Sequence, residues 1–121
     1  MSTRFADGLR VVIGEDEYEV FHARTDPSTT ETQFLINDRT SLQWVTAREV
    51  SLKMADGKPP ICRVHLFENR DDRDLARGLD LSKRTAYDVA AIDENGADTK
   101  LVVMEGGRAS LRDRRDVAVA S

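Results

Sequence analysis

The sequence predicts a mainly β fold, a small antiparallel barrel or sandwich carrying at most one or two short helices. Three observations lead there. Short apolar segments recur at regular spacing with turn residues between them. Several of these segments alternate with a period of two, most cleanly residues 49–54, where Val50, Leu52 and Met54 oppose Glu49, Ser51 and Lys53. The third is Asp93-Glu94-Asn95-Gly96, set between apolar residues 87–92 and 100–104. Asn-Gly tolerates the positive φ of a type I′ turn, whose twist suits an antiparallel hairpin. An α+β domain is the alternative, because residues 82–94 also read as an alanine-containing helix ending at Gly96.

Taken in order, residues 9–13 form an apolar run, Gly14-Glu15-Asp16 a turn, and residues 17–24 a second strand with Tyr18, Val20 and His22 on one face. Asp26-Pro27-Ser28 marks a loop, since proline removes a backbone donor. Residues 32–37 place Phe34 and Ile36 on one side, and Asn37-Asp38-Arg39 turns the chain into residues 42–47. The alternating strand at 49–54 follows. Asp56-Gly57-Lys58-Pro59-Pro60 is the clearest break, and residues 61–67 make the next strand. Beyond it a short helix is expected, with Asn69 as its cap, Asp71 and Asp72 near the positive end of its dipole, and Gly78 after its end. The 87–104 hairpin completes the domain, so the expected organisation is a flexible N-terminus at 1–8, one β-rich domain at 9–107 and a tail at 108–121, helical or disordered.

Composition narrows the function. A chain of 121 residues with 40% hydrophobic and 33% charged residues suits one globular domain with a charged surface. Its net charge of −4 argues against nucleic acid and anionic membranes as partners. No stretch approaches the roughly 20 apolar residues of a membrane span, and residues 1–8 lack a signal-peptide core. The one cysteine, Cys62, cannot make an internal disulfide. The expectation is an unprocessed, soluble, cytoplasmic protein.

No residue set reads as catalytic. His22 and His65 are the only histidines, and Cys62 and His65, three apart in a strand, point to opposite faces and cannot form a thiolate–imidazole dyad. The acidic runs Glu15-Asp16-Glu17 with Glu19, Asp71-Asp72 with Asp74, and 93–98 lie in turn-like segments, and the last does not match calcium-loop spacing. Glu105-Gly106-Gly107-Arg108 could cradle an anion but lacks the spacing and lysine of a P-loop, so a turn is the plainer reading. No cofactor or metal is expected. Trp44, the sole tryptophan, is a core residue or, if exposed, the leading contact. Arg108, Arg112, Arg114 and Arg115 make the C-terminal segment locally basic, a second candidate contact for an acidic partner.

These readings favour a non-catalytic binding or assembly module acting through a sheet face or edge on another protein or a second copy of itself. The alternative is a small ligand carrier or enzyme with a site around His22 and His65.

Overall fold

The computed structural model describes residues 2–94 and 98–120. Among the described residues twelve strands form two antiparallel sheets. The larger follows the order β12 (Val117–Val119), β8 (Cys62–Leu66), β9 (Tyr87–Glu94), β10 (Lys100–Glu105), β11 (Arg108–Asp113), β7 (Ser51–Met54), β2 (Leu9–Ile13) and β3 (Asp16–Glu19), with β1 (Ser2–Phe5) added alongside β9. The smaller holds β4 (His22–Thr25), β5 (Thr32–Asn37) and β6 (Leu42–Thr46). They stack as an open sandwich and not as a closed barrel.

Period two explains the smaller sheet. Thr32, Phe34 and Ile36 of β5 are buried, while Gln33, Leu35 and Asn37 point the other way. Phe34 and Ile36 meet Leu9 and Val11 of β2, Leu52 of β7, Ala91 of β9 and Val102 of β10 in the main core. The expected single strand at 17–24 is instead two. After β3 the chain turns a corner at Val20–Phe21: the Val20 amide donates to Leu9 O at 3.3 Å, and the Phe21 amide donates to Leu35 O at 2.9 Å. Pairing thus passes from one sheet to the other, and the shared face expected for Tyr18, Val20 and His22 is lost, with Val20 buried and His22 exposed.

A second core lies on the opposite face of the β9–β10 pair, built from Val64, Val89, Ile92, Leu101, Val103 and Val117. Strand β9 is therefore buried on both faces from Val89 to Asp93. Its register with β10 moves from Ala91↔Val102 to Val89↔Val103, which leaves Ala90 as the extra residue of a bulge. At this bulge the outer edge of β9 divides. Residues 87–89 pair with β8 and residues 91–94 with β1, and consecutive carbonyls, Val89 O and Ala90 O, accept from Ile61 N–H (3.1 Å) and Ala6 N–H (2.8 Å).

Helix α1 (Arg70–Leu75) is as expected: the Asn69 side chain accepts from Asp72 N–H at 2.9 Å, Asp71 and Asp72 occupy its first turn, and Gly78 follows it with φ +87°. The alternative helix at 82–94 is replaced by strand β9. The Asn95-Gly96 turn lies outside the described residues, but the register pairs Asp93 with Lys100, two positions from the one a two-residue Asn95-Gly96 loop would set. A glycine-rich two-residue hairpin lies further along the chain. Gly106 and Gly107 join β10 to β11 with φ +61° and +85°, and Glu105 pairs with Arg108.

The boundaries expected at residues 8 and 108 are not structural breaks. Ser2–Phe5 pairs along β9, Arg108–Asp113 pairs along β10, and Val117–Val119 pairs along β8 after a short 3-10 turn, Arg114–Asp116. The physical reason is that β9 and β10 need neighbours on both edges, and those segments supply the backbone donors and acceptors. No described helix is long and apolar enough to cross a membrane.

Candidate functional site

The register of the smaller sheet determines what it shows on its outer face. His22 pairs with Leu35, and Leu35 with Trp44, so these three form one cross-strand row; Arg24, Gln33 and Thr46 form the next. The Arg24 guanidinium stacks 4.0 Å from the centre of the Trp44 ring, and its Nε donates to Gln33 Oε1 at 2.9 Å. Trp44 is thus neither core nor fully exposed. Leu42, two residues before it on the same face, is 60% exposed. Among the described residues β6 pairs only with β5, which leaves its outer edge open beside Leu42 and Trp44. Phe21, at the corner between sheets, is 47% exposed.

The histidines are separated. His22 is exposed in the smaller sheet, whereas His65 is buried in β8 of the larger sheet with Nδ1 3.0 Å from Thr85 O. The Thr85 carbonyl makes that nitrogen the protonated one. Cys62 faces the second core and His65 the opposite side of β8, as strand alternation requires, and burial raises the Cys62 thiol pKa. No thiolate–imidazole pair exists here. Among the described residues no three His, Cys, Asp or Glu side chains gather where a metal ion could be held.

The four arginines are distributed along β11 and the turn after it. Arg112 donates to Glu105 Oε2 at 3.1 Å, and the Ser110 hydroxyl hydrogen-bonds the same carboxylate, which together hold Glu105 below its ordinary pKa. Arg115 clamps Asp113 through Nε and a terminal nitrogen at 3.0 and 2.9 Å. Arg108 opens β11 beyond the Gly106-Gly107 turn, and Arg114 borders a groove over the second core with Cys62 and Leu101. Two of the four cations are therefore neutralised locally. The acidic runs behave similarly: Glu17 meets Lys53 at 3.1 Å, and Asp74 lies between Arg73 (3.0 Å) and Arg77 (3.2 Å).

Alternation within β6 places Leu42 on the face of Trp44, but Leu35 escapes sequence reasoning, because alternation does not give the register that sets Leu35 beside Trp44. No protein-family model matches the chain, and searches of curated proteins and of solved structures find no match.

Proposed function

We propose that this protein acts by contact, as a binding module that receives an extended segment of another protein along β6, with Leu42 and Trp44 anchoring the added strand. The observation that supports this is the coincidence of an open strand edge with an exposed apolar row on one face. Main-chain groups along the edge supply affinity without sequence demand, and the half-exposed tryptophan and leucine supply selectivity. A histidine-based site draws no support, since His22 and His65 lie in different sheets.

The test is site-specific photocrosslinking in the source cell, with benzoylphenylalanine at position 42 or, as a control on the acidic β3 edge, at position 19. A discrete protein adduct at 42, lost with Trp44→Ala and absent at 19, is the expected result; an adduct of twice the chain mass would identify the partner as a second copy. No adduct at 42, or equal adducts at both positions, would refute the reading.

A further inference from the structure

A cleft of about 990 Å³ opens between β4 on one side and β1, β9, β10 and β11 on the other, away from the β6 edge. Its wall is a single cross-strand row. Thr3 pairs with Asp93, Asp93 with Lys100, and Lys100 with Asp113, so all four side chains project into the cleft from one face. Lys100 Nζ is committed to Asp113 at 2.9 Å, and Asp113 is also clamped by Arg115. Asp93 differs. It is only 8% exposed, lines the cleft, and has no side-chain hydrogen bond or ion pair among the described residues. Its carboxylate oxygens still reach the water of the cleft, since among the described residues no fully buried side-chain oxygen lacks a partner, so a cation entering the cleft can meet them directly. Asp26 and Asp98 add negative charge at the rim, while Ala23 and Leu111 provide apolar lining, and Thr3 Oγ1 lies 3.2 Å from Thr25 Oγ1 across the gap.

We propose that this cleft binds an organic cation carried on an aliphatic stem, a guanidinium or primary ammonium, with Asp93 as its counter-ion and Leu111 and Ala23 against the stem. A lysine or arginine side chain of a peptide and a free alkyl amine share that chemistry. A metal ion fits less well, because no three carboxylates converge among the described residues. Lys100 is the internal competitor for the same charge. The proposal stands independently of the β6 edge.

The probes are butylguanidinium, butylammonium and an acetyl-Gly-Arg-Gly-amide peptide, with butylurea as the neutral isostere, followed through the methyl resonances of Leu111 and Ala23. Saturable shifts are expected with the cations and not with butylurea. Asp93→Asn should weaken binding about tenfold or more, the effect of losing one charge-assisted contact. Lys100→Met should tighten it, a change that a purely structural role for the row would not produce, and this comparison decides the matter even if Asp93→Asn fails to fold. Tighter binding of the peptide than of the free cations would assign the ligand to a protein, and the reverse to a small amine. Equal shifts with butylurea, unchanged affinity in both variants, no saturable shift with any cation, or stronger shifts of the same methyls with Ca²⁺ or Mg²⁺ would overturn the proposal.

Discussion

Single residues here carry distinct physical loads. Phe34 is fully buried between the sheets, so Phe34→Ala should cost about 3 to 5 kcal/mol, through lost transfer energy and the cavity left behind. A urea midpoint close to wild type would show that the two sheets do not close over that ring. Asp113 provides a pH signature. Hydrogen bonds from the Arg115 side chain, then from its backbone and from Lys100, hold its carboxyl well below the usual range. Its stabilising contribution is therefore complete above about pH 4, the unfolded value, and fades as pH falls towards the depressed folded value. Asp113→Asn should lose on the order of 1 to 2 kcal/mol at pH 7 and progressively less as the solution is acidified below pH 4. Denaturant titrations at pH 7 and pH 2.5 giving the same difference between variant and wild type would contradict this.

At the scale of elements, legibility followed burial on one face. Residues 32–37 coincide with β5 because that strand has one wet and one dry side, the condition under which alternation is informative, whereas β2 coincides with an apolar run closed by the Gly14 turn. Strand β9 is read as a strand of the 87–104 hairpin, but with a helix over 82–94 left as an alternative, because Val89-Ala90-Ala91-Ile92 is dry on both faces and no polar residue punctuates it. Strand β11 was hidden by its charges, although Arg112 and Asp113 both find partners within the sheet. The turn that leads into it offers a test. With positive φ at both glycines, Gly107→Val should destabilise by roughly 1 to 2 kcal/mol or more and Gly106→Asn by much less, because asparagine tolerates the left-handed region. Equal midpoints for the two variants would rule out the turn geometry. At the bulge, Ala91→Leu would overpack the main core and should cost about 1 to 3 kcal/mol; an unchanged melting temperature would mean that the face of β9 towards β5 is looser than described. What no pattern in the sequence could give is the register between strands distant along the chain, and both the Trp44 row and the Asp93 row are products of register.

For the whole molecule, the central fact is that two cores share one hairpin. Because β9 and β10 supply residues to both, neither core can melt alone, and equilibrium unfolding should be a single transition. Trp44 fluorescence reports the smaller sheet and far-ultraviolet circular dichroism reports all strands, so their midpoints should coincide; separated midpoints would show that the cores are independent. The overall charge of −4, with Arg112 and Arg115 already paired, also predicts weak attachment to nucleic acid at physiological salt, and submicromolar binding to duplex or single strands would contradict that. The divided edge of β9 has one more consequence, for the protein's life on the ribosome. Strand β1 is made well before the strand it pairs with among the described residues, which begins at Tyr87, so Ser2 waits for Glu94 while the core shared by β2, β5 and β7 still lacks Ala90, Ala91 and Val102 of β9 and β10. Such distant pairing slows folding and prolongs the exposure of sticky surface. Until β9 and β10 emerge, the nascent chain therefore keeps an incomplete core.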